Sequence, residues 1–406
     1  MTHCKLRLLV AAFVLVLGFS ACGGGGGAKG PIDTMPPPSG SNVAPLIVDA
    51  GPTARGVNLP SVSVTVCVPG STQCTIIDHV LVDTASIGLR LFASQLPASV
   101  VLPRAVTGSG IPLFECQPFA DGYAWGSVRR ADVQLADGTG SNIAIQLMGD
   151  TTATSPVPQA CIDAGLGQSV NDPVSFAMNG VLGVNVFKED CLACATTPLP
   201  AAYYDCATNP CTPIVVALSE EVQNPVYQFA TNNNGVSIQL PQINAAGQTT
   251  VNGYLILGID PLGNNQLGSA TVLTVDPITG NFTTNYKGVA LTQSIIDSGS
   301  NGFFFNDSAL AACKTYTGFY CPVSATTLSA TNQGVNGITS SVTFTVVDAD
   351  TVFTTNPTFS AYQNIAGSNP FASSFDWGLP FFFGRRVYFA FEQRTTSAGA
   401  GPFVAY

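Results

Sequence analysis

Two aspartates stand where a buried strand runs out. Val80-Leu81-Val82 leads into Asp83-Thr84-Ala85-Ser86, and Ile295-Ile296 leads into Asp297-Ser298-Gly299-Ser300. In both places the apolar run reads as a buried strand. The carboxylate is followed each time by a hydroxyl residue, a small residue and a second hydroxyl residue. An ionisable side chain at the end of such a strand is costly unless its surroundings satisfy it. The chain carries this costly pattern once in each half, which implies two similar lobes and two aspartates meeting at one site. Two carboxylates held a few ångströms apart cannot both ionise cheaply, so they share a proton and titrate as a unit. One member of such a pair takes a proton from a bound water while the other gives a proton to a carbonyl.

Composition narrows the other chemistries. The chain has two histidines, His3 and His79, and His3 lies in a targeting segment. A Ser-His-Asp or Cys-His mechanism would have to use His79 alone, and a multi-histidine zinc site is excluded. Charged residues make up 9% of the 406 residues, against roughly 25% in soluble proteins generally, and the net charge is -10. Nucleic-acid binding is not expected, because phosphate contacts need clustered Lys and Arg. Hydrophobic residues at 46% suffice for a large core. No metal or organic cofactor is expected.

Residues 1–22 read as an export signal. Lys5 and Arg7 are followed by the apolar stretch Leu8 to Leu17, too short to anchor the chain by itself. Phe19-Ser20-Ala21-Cys22 resembles a bacterial lipobox, with Phe19 where Leu is more usual. Cys22 would then be acylated and become the new N-terminus. Gly23 after it suggests outer-membrane sorting, hence a lipoprotein of the bacterial cell envelope, periplasmic or surface facing. Residues 23–44 are rich in Gly, Pro and Ser and read as a flexible tether.

From about residue 45 the signals are β. Ser61-Val62-Ser63-Val64-Thr65-Val66 and Ser341-Val342-Thr343-Phe344-Thr345-Val346 alternate with period two, and Asp137-Gly138 and Asn234-Gly235 mark turns. Helical patterns are short, at residues 308–315 and in parts of 215–231. The expected architecture is all-β, with a first lobe over 45–240 and a second over 241–406. Setting Cys4 and Cys22 aside from the twelve cysteines leaves an even number, which in an exported chain argues for disulfides. Cys67 and Cys74 are close enough to clip a hairpin, as are Cys313 and Cys321. Cys191, Cys194, Cys206 and Cys211 form a tight cluster. It reads as a four-cysteine zinc site or, as an oxidising envelope favours, as two nested disulfides. Cys116 and Cys161 remain as a pair by elimination.

Further landmarks fall in order along the chain. They are Asn179-Gly180-Val181-Leu182-Gly183-Val184, then Gly253-Tyr254-Leu255-Ile256-Leu257-Gly258-Ile259-Asp260, then Asp376-Trp377-Gly378-Leu379-Pro380-Phe381-Phe382 running into Arg386 to Glu392. With the two Asp motifs they resemble the bilobal pepsin-like aspartic protease fold over most of residues 55–406. The chain is also similar to a group of uncharacterised bacterial lipoproteins that share these motifs. The resemblance implies two β lobes with a cleft between them, and Asp83 and Asp297 as the catalytic pair. It implies that Thr84 and Ser298 send their hydroxyls to the opposite loop's backbone, that Ser86 and Ser300 donate to the outer carboxylate oxygens, and that Gly299 lets the backbone approach closely. Asp121-Gly122-Tyr123-Ala124-Trp125-Gly126-Ser127-Val128 matches the family's flap, with Tyr123, Trp125 and Gly126 over the substrate.

Two positions depart from the family pattern. Ala85 replaces a glycine whose N–H commonly bonds the carboxylate, and its Cβ is tolerable only where φ stays negative. Arg90 stands where a Trp usually supports the flap Tyr. It would bond Tyr123 and bring a cation towards the aspartates. The function implied is an envelope-anchored aspartic endopeptidase that takes an extended peptide or protein in the cleft. Ala85 keeps open a catalytically weak or inactive relative that binds peptide or protein, or serves as a structural surface module. Membrane association should vanish in Cys22→Ala, as read by fractionation of envelopes. A variant that stays membrane-bound rules the lipobox out.

Overall fold

The period-two stretches form strands, because alternation puts one face of each on the core. Strand Thr339–Val346 buries Val342, Phe344 and Val346 and turns Thr339, Ser341 and Thr343 outward. The computed structural model describes residues 36–150, 152, 155–260 and 262–406. The expected export signal, Cys22 and most of the expected tether lie outside the described residues. The architecture is mainly β, in two barrel-like sheets of 15 and seven strands, as a bilobal pepsin-like fold requires.

The large sheet joins the halves. Strand Val43–Val48 begins within the expected tether and pairs antiparallel with Val251–Leu257. Strand Gly235–Leu240 pairs with Val251–Leu257 on one side and with Arg385–Ala390 on the other. Second-half pairing therefore begins before the division expected at residue 240, because this strand finds both its partners in the second half.

One core runs beneath both Asp loops. In the second half it is an aromatic stack in which Phe375 lies 4.1 Å from Trp377 and 4.7 Å from Phe305, ring centre to ring centre. Trp377 is fully buried, and its indole N–H donates to Thr284 Oγ1 at 3.1 Å. A buried indole needs such an acceptor. Truncating an aromatic in a stack of this kind costs about 3–5 kcal/mol.

Helices are short, as expected, but they lie elsewhere. Residues 308–315 are not helical. Ala312 bridges Tyr320, and Cys313 N–H donates to the Phe319 carbonyl, so the segment forms a narrow loop clipped by Cys313–Cys321. In the 215–231 stretch only Val226–Gln228 makes a turn of 3-10 helix. Among the described residues the α-helices are Gln159–Ala164, Pro173–Phe176 and Ala349–Thr355. Asp172 and Asp348 cap the last two with their carboxylates, the arrangement that satisfies exposed helix N–H groups.

Cys67–Cys74, Cys116–Cys161 and Cys313–Cys321 are disulfides as expected. The cysteine cluster makes two disulfides in series, Cys191–Cys194 and Cys206–Cys211, rather than a nested pair or a zinc site. Each closes its own short turn, which brings the sulfurs together locally. Peptide mapping under non-reducing conditions should return these five links and no reactive thiol at these positions. Recovery of a 191–211 or 194–206 link would contradict the pairing.

Candidate active site

Each Asp loop is built on the same small crossing. In the first half, strand Cys74–Asp83 pairs parallel with Gly180–Val184, which pairs antiparallel with Ile87–Phe92. In the second half, Val289–Ile296 pairs parallel with Asp376–Trp377, which pairs antiparallel with Phe303–Phe304. The threaded glycines are required by space. A Cβ on Gly183 would sit 2.6 Å from Ile87 N, and one on Gly378 would sit 2.1 Å from the Gly302 carbonyl oxygen. These are the Gly landmarks of the sequence.

The two loops then grip each other. Thr84 Oγ1 donates to the Ile296 carbonyl at 3.0 Å and accepts from Ser298 N at 2.9 Å. Ser298 Oγ donates to the Val82 carbonyl at 2.6 Å. All of these groups are buried.

The structure brings the aspartates together at Gly299. A Cβ at that glycine would lie 3.0 Å from Asp83 Oδ1 and 3.2 Å from Asp297 Oδ1, so a side chain there would drive into both carboxyls. Asp83 Oδ1 accepts from Ala85 N at 2.8 Å and from Ser86 N at 3.2 Å, and Oδ2 accepts from Ser86 Oγ at 2.5 Å. Asp297 Oδ1 accepts from Gly299 N at 2.7 Å, and Oδ2 from Ser300 Oγ at 2.8 Å. Ala85 thus keeps the N–H bond of the glycine it replaces, and its φ is not positive. Burial pushes the Asp297 carboxyl well above the usual carboxylate range, and the neighbouring Asp83 and Asp376 carboxyls push it further.

Both aspartates lie in a cleft of about 700 Å³, a size suited to a ligand. Its walls are strongly aromatic. Phe119 and Phe176 come from the first half, and Phe304, Phe319, Phe353 and Tyr362 from the second. The Cys313–Cys321 loop carries Phe319 and Tyr316 into the wall, where they pack edge-on against Phe353 at 5.6 and 4.8 Å. Asn58, a buried first-half residue, donates to the carbonyls of Asn301 and Tyr362, both at 2.7 Å, and so ties the halves together beside the cleft. These wall residues carried no motif in the sequence. Their shared signal was aromatic identity beside turns and a disulfide.

The expected flap is a hairpin, but its aromatics point elsewhere. Strands Leu113–Phe119 and Gly122–Leu135 pair antiparallel, and the tip residues Phe119, Ala120 and Asp121 line the cleft. Tyr123 and Trp125 do not line it. They are buried in a separate cluster with Phe114, Tyr204 and the Cys116–Cys161 disulfide. Residues 168–170 hold Tyr123 there, bonding its backbone N–H and carbonyl in turn. Gly126 is needed for strand packing, since a Cβ would fall 1.7 Å from the Leu147 carbonyl oxygen. Phe119, not Tyr123, is the aromatic of this hairpin that lines the cleft.

Arg90 also corrects the expectation. It is fully buried, and its Nη2 donates to Glu115 Oε1 at 2.5 Å and to Asp190 Oδ2 at 2.7 Å, with no bond to Tyr123. Tyr203 OH donates to Asp190 Oδ1 at 2.8 Å, and Cys191 N to Glu221 Oε2 at 3.2 Å. Burial raises the Glu115 carboxyl, and Arg90 opposes the rise only in part. Burial followed by the Asp190 charge pushes Glu221 up to about 9. His79 bonds Asp49 at 3.3 Å and does not line the cleft. Cys313, Cys321 and Asp350 come together, but the sulfurs are bonded to each other and the carboxylate accepts three backbone N–H groups.

The profile of a family described as "Protein of unknown function (DUF3443)" matches residues 38–406. The chain belongs to the DUF3443 family. Comparison of this DUF3443 chain with curated proteins gives no match. Among solved structures it is similar to the crystal structure of an aspartic proteinase from Irpex lacteus. The TM-score is 0.54 and the identity 14%, over 89% of this chain and 96% of that one. The pepsin-like aspartic protease fold is thereby shown for this DUF3443 protein.

The buried acids predict an inverted pH dependence of stability. A glutamate of ordinary pKa about 4.3 in the unfolded chain that rises on folding makes the native state bind more protons. Stability then falls as pH rises, and for Glu221 the window runs from the unfolded value up to about 9. Denaturant midpoints should decline from about pH 5 to pH 9, and Glu221→Gln should flatten the decline. An unchanged slope in Glu221→Gln would contradict the burial argument.

Proposed function

We propose that this chain is an aspartic-type endopeptidase, held in the bacterial envelope by a lipid on Cys22. The observation that carries the reading is the pair Asp83 and Asp297, gripped together by Thr84 and Ser298 in a peptide-sized aromatic cleft. Asp83 accepts three hydrogen bonds and Asp297 two, so the charge is assigned to Asp83 and the shared proton to Asp297. Water held between them loses a proton to Asp83 as its oxygen attacks the peptide carbonyl, and Asp297 gives its proton to the carbonyl oxygen. The tetrahedral diol then collapses. Asp83 returns its proton to the departing nitrogen, the C–N bond breaks, and Asp297 recovers a proton from a diol hydroxyl. The product is a carboxylic acid and an amine, with both carboxyls restored.

The tip residues Phe119 to Asp121 would close over an extended peptide and exclude water. Thr84, Ser86, Ser298, Gly299 and Ser300 would hold the carboxyls in place, while Tyr123, Trp125 and Gly126 support the hairpin from behind. A binding module that uses the same cleft without hydrolysis is the second reading. Ala85 was its motive, and the retained Ala85 N–H bond weakens it.

Cleavage of a mixed peptide library from acid to neutral pH tests the proposal. The parent should cleave, a statine-type peptide should block it, and Asp297→Asn should lose at least about 10²-fold in rate while folding normally. Peptide bound but uncut at every pH would favour the binding module.

A further inference from the structure

Ser300 has one proton and two carboxyls to serve. Its Oγ lies 2.8 Å from Asp297 Oδ2 and 2.6 Å from Asp376 Oδ2. A hydroxyl donates once, so the second of these short contacts needs a proton held by a carboxyl. The proton that Asp297 shares with Asp83 serves the pair, and the other oxygen of each carboxyl tells which of the two gives a proton to Ser300. Asp297 Oδ1 accepts from Gly299 N at 2.7 Å. Asp376 Oδ1 is buried and has no partner among the described residues. An ionised carboxylate with an orphaned buried oxygen is far costlier than a neutral acid whose carbonyl oxygen is orphaned.

The surroundings of Asp376 agree. It pairs with Ile295 on one side and Phe304 on the other. Among the described residues, the charged groups that bear on it are the other acids, Asp83 and Asp297, and no cation bonds it; the one cation lining the cleft is the exposed Arg55. Burial is the largest influence, and it pushes this carboxyl up to about 7. The device belongs to one half only. Asp376 pairs with Ile295 as Val181 pairs with Leu81, so the equivalent first-half position is apolar. Ser86 correspondingly bonds Asp83.

We propose that Asp376 is a third, protonated carboxyl of the site, which donates from Oδ2 to Ser300 Oγ and so commits the Ser300 hydroxyl to Asp297. Resting on the peptidase reading, Asp376 is a positioning residue that acts on Asp297 through Ser300. When Asp376 loses its proton, the Ser300 hydroxyl turns to the new anion, Asp297 loses a donor, and a second negative charge faces the pair. The activity would then fail on the alkaline side because of Asp376, not because of the pair alone.

The test uses the full chain with Asp376→Asn, whose amide donates to Ser300 but cannot ionise, and Asp376→Val, which does neither. The alkaline limb of kcat/KM should move up by about one pH unit in Asp376→Asn. At acid pH, Asp376→Val should lose roughly tenfold or more relative to Asp376→Asn, because it lacks the donor. Superimposable pH profiles for parent and Asp376→Asn would overturn the proposal. A readout independent of cleavage is infrared difference titration. The parent should show a protonated carboxylic acid C=O band that is absent from both variants and disappears as pH rises through about 7, the value to which burial raises this carboxyl. No such band at any pH where the chain is folded would overturn the proposal. A chain that cuts no peptide yet shows the band would refute the peptidase reading and leave the Asp376 proton supported.

Discussion

The constraint on which this molecule depends is the exchange of buried hydrogen bonds between Thr84 and Ser298. Two loops from opposite halves present carboxyls to each other, and carboxyls so close share a proton only while something fixed keeps them there. Thr84 reaches the Ile296 carbonyl and receives the Ser298 N–H, while Ser298 reaches the Val82 carbonyl. Each bond contributes a net of about 0.5–1.5 kcal/mol, but a buried donor or acceptor left without its partner costs more. The grip therefore defines a single relative position of the halves at the site. The threaded glycines 183 and 378 let each loop sit low enough to be reached, and the continuous large sheet keeps the halves from sliding.

The two halves share a plan and differ in what fills it. Arg90 and Phe304 occupy equivalent positions, facing Val181 and Asp376 across their strands. In the first half the residue is a buried cation with its own acids, set away from the cleft. In the second it is a cleft-lining ring. Charge in the first half thus supports the scaffold, whereas in the second the extra carboxyl at 376 shares the Ser300 hydroxyl with Asp297. Ala85 and Gly299 differ in the same way. Gly299 has both carboxyls against the place where a Cβ would be, so glycine is required there. Ala85 keeps its N–H bond with a Cβ present.

Much of this was legible in the sequence because it rests on backbone geometry that few residues permit. Asp-hydroxyl-small-hydroxyl after an apolar run, and glycines at close crossings, are local signals of one physical need each. The clips Cys67–Cys74 and Cys313–Cys321 followed from the short separation of the cysteines in a chain read as exported. What stayed hidden depends on where side chains point after folding. Tyr123 fitted the flap by spacing, yet the Cys116–Cys161 disulfide and residues 168–170 turn it into a satellite core. Arg90 read as a partner for that tyrosine, but its acids come from residues 25 and 100 positions away. Asp376 stood inside a recognised motif, and only the shared Ser300 hydroxyl gives it a role. The 308–315 segment has helical composition and loses that preference to a disulfide-closed turn.

The most direct test of the central claim is calorimetric binding of a statine-type transition-state peptide to the full chain, from acid to neutral pH, in the parent and in Asp83→Asn. If the gripped pair shares a proton, the peptide's hydroxyl binds between the carboxyls. Affinity then falls as the pair loses that proton and collapses in Asp83→Asn. Binding indifferent both to pH and to Asp83→Asn, or no binding by a folded parent, would contradict the account.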